Sequence, residues 1–218
     1  MRENRLSLAA RVGFAAFLVL SALFLGGCTG MMARNKMPAA VYDFGQPVPA
    51  DVKNAEADKL AGRLALDVRA APWLSGPEID YRLAYADPLE RSQYADSRWA
   101  APPALLLAAQ LRRQIGFAAV DSVASDCVLR VELQEFSQVF TAPLVSRGVL
   151  QGQISLIDGK RRLIAGRAIG VERPAPSPDA TGGVQALVEA SDELGRQLTD
   201  WLNRLGREGG LNVCGLGM

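Results

Sequence analysis

Glu132 with Glu135, and Asp87 with Glu90, are the carboxylate pairs whose spacing admits acid–base chemistry. Such pairs hydrolyse glycosidic bonds when they flank a cleft. Alternation along the chain puts Glu132 on the polar face of a strand and Glu135 at a bend, which is the pattern of a solvated face. A hydrolase therefore survives only if one of these pairs lines a groove. The 218 residues contain no histidine. That excludes Ser-His-Asp and Cys-His nucleophile systems, His-liganded zinc and imidazole proton shuttles. Ser75 and Ser155 have no basic partner at useful spacing, and no G-x-S-x-G occurs. The tail Gly209-Gly210…Gly215…Gly217 follows no strand and opens no helix, so it is not a phosphate loop. Arg112-Arg113 and Arg161-Arg162 read as solvent-facing charges. The residues imply no enzyme, no metal and no cofactor.

The remaining reactive type is cysteine, of which there are 3. No CxxC spacing supports a zinc cluster. Cys28 follows Leu25-Gly26-Gly27, behind a basic segment (Arg2, Arg5, Arg11) and an uncharged apolar run from Val12 to Leu25. A basic start, a short apolar middle and small residues before the cut describe a secretory signal. The run is short for crossing a hydrocarbon core, which takes about 20 residues. Leu-Gly-Gly-Cys resembles the bacterial lipobox. That resemblance implies cleavage after residue 27, a thioether-linked diacylglycerol on Cys28 and acylation of the new amine, with palmitate as a typical chain. The competing reading is an ordinary signal peptide with a chance cysteine. Several acyl chains, at about 0.8 kcal/mol per buried methylene, hold a protein on a bilayer essentially permanently. Thr29 follows the cysteine, and by resemblance to sorting in enteric bacteria a non-Asp residue there favours the outer membrane.

Cys127 and Cys214 are an even pair in an oxidising compartment and hence candidates for a disulfide. The alternative is two separate thiols, one buried and one in a loose tail. With 24 basic and 23 acidic side chains, the near-neutral charge gives no reason to expect nucleic acid. A composition 49% hydrophobic and 22% charged suits a packed core.

The elements follow from the apolar periods. Residues 28–40 have no sustained period and form a tether; residues 41–218 form the domain. Val41-Tyr42-Asp43-Phe44 is a short strand candidate. Leu64, Leu66 and Val68 alternate with Arg63, Asp67 and Arg69, and Ile79, Tyr81, Leu83 and Tyr85 with Asp80 and Arg82, each the period of a half-buried strand. Between them Trp73-Leu74 sits in a turn, either as a plug over the core edge or as part of a surface. From Pro102-Pro103 the period becomes helical, with Ala104, Leu107, Ala108, Leu111 and Ile115 on one face and Gly116 as the stop. Leu129, Val131 and Leu133 begin another strand whose phase slips at Glu135-Phe136, the sign of a bulge. Val149 to Ile157 and Leu163 to Val171, joined by Asp158-Gly159-Lys160, complete an antiparallel group of three. Asp179 or Thr181 caps a final helix with Val184, Leu187, Leu194, Leu198, Trp201, Leu202 and Leu205 on its apolar face. The expected fold is α+β, a mainly antiparallel sheet with two amphipathic helices packed on one face.

Taken in order, the lipobox, Tyr42-Asp43-Phe44, Arg63–Arg69 ending in Pro72-Trp73-Leu74, Ile79-Asp80-Tyr81-Arg82-Leu83, Tyr94, Ser97-Arg98-Trp99, Leu133-Gln134-Glu135-Phe136 and the terminal helix near Trp201 resemble the ABC-type transport auxiliary lipoproteins. That family includes the paraquat-inducible protein C-like, membrane-integrity-associated transporter lipoproteins. The resemblance spans roughly residues 41–205 and implies a periplasmic α/β domain. It also implies partnership with mammalian-cell-entry (MCE) domain proteins and an ABC permease and ATPase that move lipid between membranes. It carries over no catalytic residues, and it leaves self-association open. Trp73, Leu74, Tyr94, Arg98 and Trp99 are candidates for the docking surface, because aromatics and Arg are enriched at hot spots; core packing competes for the aromatics. The rival class is a structural or assembly lipoprotein of the envelope with no transport role.

Overall fold

The computed structural model describes residues 38–45, 64–119 and 127–215. All lie in one compact unit, Pro38–Met218. The signal segment, Cys28, nearly all of the expected tether and Arg63 fall outside the described residues.

Among the described residues the elements in chain order are β1 (Ala40–Tyr42), β2 (Leu64–Ala70), β3 (Glu78–Leu83), β4 (Ser92–Trp99), α1 (Pro103–Ile115), β5 (Ala118–Ala119), β6 (Cys127–Ala142), β7 (Val145–Asp158), β8 (Leu163–Pro174) and α2 (Ala180–Arg207). The strands make one eight-stranded mixed sheet. With the two helices it is an α+β fold, as the patterning predicts.

β6 is the spine. β7 pairs antiparallel along one of its edges, and β8 pairs antiparallel with β7. Along the other edge β2 and β3 lie end to end, both parallel to β6: Leu64–Ala70 match Cys127–Leu133, and Asp80–Leu83 match Ser137–Phe140. β4 flanks β3 antiparallel, β1 flanks β4 in parallel, and β5 lines β2. The longest pairings are antiparallel. Alternation does not predict a strand over β4, because Tyr94 and Trp99 are its only large apolar residues.

The slip near Glu135 is a real irregularity, since the β6–β7 register shifts between Leu133 and Glu135. Upstream of it Leu129, Val131 and Leu133 are buried; downstream Phe136, Gln138 and Phe140 are. The extra residue moves the core-facing set from odd to even positions while keeping one face of the strand inside.

Helix ends follow their local cues. Gly116 takes the left-handed conformation (φ 81°) that a β-carbon would disfavour, and its N–H caps the Arg112 carbonyl. Asp179 is the N-cap of α2, and its carboxylate accepts from Gly182 N at 2.8 Å. The helices touch through Gln110, which donates to the Asp192 carboxylate, and Gln114, whose Nε2 donates to the Asp192 carbonyl at 3.1 Å. Leu66, Leu107, Leu111, Leu129, Leu150, Ile154, Leu194 and Leu198 fill the space between helices and sheet. Each such side chain contributes about 1.5–3 kcal/mol on burial. Helix and sheet come close at Gly148, where a β-carbon would lie 2.7 Å from the backbone of Ala186 and Leu187.

The β7–β8 turn is closed by Asp158, which accepts from the backbone N–H groups of Lys160 (2.9 Å) and Arg162 (2.8 Å). The Arg162 backbone bond, ahead of that residue's side chain, holds the carboxyl below its ordinary range. Arg161, and not Gly159, supplies the positive φ (61°). At the same end of the sheet a disulfide joins Cys127, at the start of β6, to Cys214 in the 3-10 turn after α2. It ties the C-terminal segment to the sheet.

Candidate interaction surface

Pro72 starts a 3-10 turn, Pro72–Leu74, that divides its two apolar residues. Leu74 enters the core at 3% exposure, whereas Trp73 stays 59% exposed. The Trp73 indole N–H donates to the Gln134 carbonyl at 3.2 Å, a group at the β6 bulge. In β4, alternation turns Trp99 inward, where it is 1% exposed and packs edge-on to Phe44 (5.6 Å between ring centroids) and beside Phe136 (5.7 Å). The neighbouring Arg98 is exposed. Leu74 and Trp99 are thus core residues, which corrects their placement on a docking surface.

Tyr94 is half-buried. Its ring lies 4.7 Å from that of Tyr81, and its hydroxyl donates to Gln138 Oε1 at 2.8 Å. Gln138 in turn donates to the Ser146 hydroxyl at 2.8 Å. Burial, with smaller contributions from Tyr81 and Asp179, pushes the phenol up to about 12. Tyr94 is therefore a neutral hydrogen-bond donor holding β4 to β6. Of the five candidate residues, Trp73 and Arg98 keep exposed side chains.

The sheet face away from the helices is charged. Glu135 accepts from Arg82 Nη2 at 3.0 Å and from Arg91 Nη2 at 2.9 Å, and Arg91 Nη1 reaches Asp80 Oδ2 at 2.7 Å. Burial raises the Asp80 carboxyl above its ordinary value, and the hydrogen bond and charge of Arg91 only partly offset this. Asp80 Oδ1 and Ser137 Oγ are buried without a hydrogen-bond partner. Sequence patterning puts Asp80 and Arg82 on a polar face and Glu135 at a bend. It does not reveal that parallel β3–β6 pairing brings them together with Arg91.

Of the carboxylate pairs, Glu135, Asp87 and Glu90 make hydrogen bonds or ion pairs within the fold. Glu132 is exposed and Glu135 is held by two arginines. Asp87 accepts from the Leu89 N–H at 2.8 Å, and Glu90 from the Ser92 hydroxyl at 3.4 Å. One shallow groove of about 390 Å³ is lined by Thr141, Val145, Ser146, Arg147, Glu172, Arg173 and Pro174. Its carboxylate, Glu172, is paired with Arg147 at 2.7 Å. Among the described residues no group of three or more His, Cys, Asp or Glu could hold a metal ion, and no helix is long and apolar enough to cross a membrane.

No family model and no curated protein matches the chain. Lipoprotein GNA1162 from Neisseria meningitidis aligns at a TM-score of 0.25 and 14% identity, over 63% of this chain and 96% of that one, a likeness too faint to carry an argument. An uncharacterized protein of solved structure aligns at a TM-score of 0.57 and 16% identity, covering 76% of this chain and 99% of that one. Protein XCC0632 from Xanthomonas campestris, of family DUF330, aligns at a TM-score of 0.60 and 22% identity, covering 79% of this chain and 95% of its own. The α+β fold of this chain is similar to those of XCC0632 and the uncharacterized protein, and the fold is what the likeness establishes.

Proposed function

We propose that the chain is a non-enzymatic lipoprotein, held by lipid on Cys28 at the periplasmic face of the outer membrane. It serves as the auxiliary component of an ABC-type, MCE-linked system that moves lipid or another hydrophobic solute across the periplasm. The observation that carries this reading is Leu25-Gly26-Gly27-Cys28 behind a basic and apolar leader, followed by the ordered family-like motifs. A Cys127–Cys214 disulfide suits the oxidising compartment that such a leader reaches. The acylated end fixes the domain to the bilayer, and the domain holds a partner by surface contact. Trp73 and Arg98 offer exposed side chains of the hot-spot type. Among the described residues β8 pairs with β7 alone, so its outer edge can accept an extended segment of a partner by strand addition.

The test is affinity purification of the intact lipoprotein from detergent-solubilised envelopes. The expected companions are an MCE-domain protein with an ABC permease and ATPase. Recovery with outer-membrane assembly components in their place would replace transport by the structural role. Globomycin is expected to accumulate the uncleaved precursor, and Cys28→Ser to abolish lipidation; unchanged processing in both would remove the anchor.

A further inference from the structure

We infer that one end of the sheet, formed by the β3–β4 connection and the β6–β7 turn, rests in the bilayer that holds the anchor. Leu89 and Leu144 then lie at the boundary between headgroups and acyl chains. This inference rests on lipidation of Cys28 and adds to it an orientation and a contact.

Leu83 pairs with Phe140, so the connection that leaves β3 and the turn that leaves β6 emerge side by side. Exposed apolar residues collect there: Leu89 is 88% exposed, Leu144 79%, Val145 59%, Tyr85 47% and Leu83 36%. Leu89 is held outward, because its N–H donates to Asp87 at 2.8 Å and its carbonyl accepts from Arg82 Nη1 at 3.3 Å. Large apolar tips grouped at one end mark a contact surface. The charges nearby are acidic (Asp87, Glu90) or paired (Arg147 with Glu172, 2.7 Å). The attraction is therefore apolar and needs no anionic lipid.

The path of the chain points to the same occupant. β1 runs parallel to β4, so followed backward from Tyr42 to Pro38 the chain heads toward the start of β4, which is the apolar end. Ala40 is level with Ser97; because β4 bulges between Gln93 and Arg98 opposite Asp80 and Glu78, only about two β3 residues, or about 7 Å at about 3.3 Å per residue, separate that level from Ser92. Ser92 is level with Gln138 through Tyr81, and Leu144 lies six residues further, at most about 20 Å. From Cys28 to Ala40 the chain reaches at most about 40–43 Å when fully extended. That maximum exceeds the about 27 Å from Ala40 to the tip, so the tether can bring Cys28 to a bilayer on which the tip rests. The tether thus leaves the domain toward the apolar end and is long enough to seat Leu89 and Leu144 on the bilayer that holds Cys28. The β7–β8 turn and the disulfide then point into the periplasm.

The test uses the full lipidated chain in phosphatidylcholine vesicles, with and without bromine on the acyl chains. Leu89→Cys, Leu144→Cys and, at the opposite end, Leu163→Cys carry a nitrobenzoxadiazole label. The expected result is a blue shift and bromine quenching at positions 89 and 144, with neither at 163. If the protein floats with the vesicles yet all three labels behave alike, the inference is overturned and the anchor stands. If the protein does not float, and the unsubstituted chain takes up label at Cys28, the anchor reading itself fails.

Discussion

Asp179 converts a local cue into a measurable pH dependence. The Gly182 N–H, and after it the Ser177 hydroxyl at 2.7 Å, hold its carboxyl below the ordinary value. A carboxylate more acidic in the folded than in the unfolded chain contributes stability above about pH 4. That contribution fades as pH falls through the lowered folded value. Asp179→Ala is expected to cost about 1 kcal/mol at neutral pH. Asp179→Asn keeps an acceptor for Gly182 N, so it is expected to retain most of that stability while weakening the acid-dependent loss. Thermal melts across a pH series measure both. The two tryptophans of the candidate surface separate by burial. Trp99→Ala is expected to cost about 3–5 kcal/mol, a large drop in Tm. Trp73→Ala, which loses one surface hydrogen bond, is expected to cost about 1 kcal/mol or less. With Tm nearly unchanged, loss of partner capture by Trp73→Ala would assign that residue to docking. Residue type alone did not distinguish them: both are tryptophans beside turn-forming sequence, and only their partners across the sheet tell core from surface.

Helix α2 depends on a close approach that its own sequence does not announce. At Gly148 the β7 backbone meets the Ala186–Leu187 turn of α2 directly, so Gly148→Ala is expected to push the helix outward and cost about 1–3 kcal/mol. Urea unfolding, with an unchanged dependence on denaturant, would measure it. The disulfide acts between elements as well. It closes a separation of 87 residues, and the chain-entropy model gives such a bridge about 4–5 kcal/mol. Cys214→Ala is expected to lower Tm markedly and to loosen first the segment after Arg207, read as faster amide exchange there than in β6–β8. The helices, their caps, the β6 bulge and the β6–β8 meander were legible because each is written in residues a few positions apart. β4 was not, since its strand character comes from pairing with β3 and β1 and not from an apolar period of its own. The network of Asp80, Arg82, Arg91 and Glu135 was half legible: its polar positions could be assigned, its partners could not.

For the whole molecule, the proposed anchor and the proposed bilayer contact at the sheet end together define an orientation. Cys28→Ser is expected to move the intact protein from the detergent phase to the aqueous phase in a Triton X-114 partition, with its Tm unchanged. A fall in Tm would instead mean that the N-terminal segment helps to hold the fold. Residue order alone determined the apolar periods, the helix ends and the absence of histidine chemistry, and it carries the lipobox-like pattern on which the proposed anchor rests, because these depend on identity and short-range spacing. Pairing direction around β6, the burial of Trp99 beside the exposure of Trp73, the gathering of four charges on one face and of five apolar tips at one end were decided by tertiary structure. Each joins residues far apart in the chain, and the entropy of closing those loops is offset only when the whole sheet has assembled.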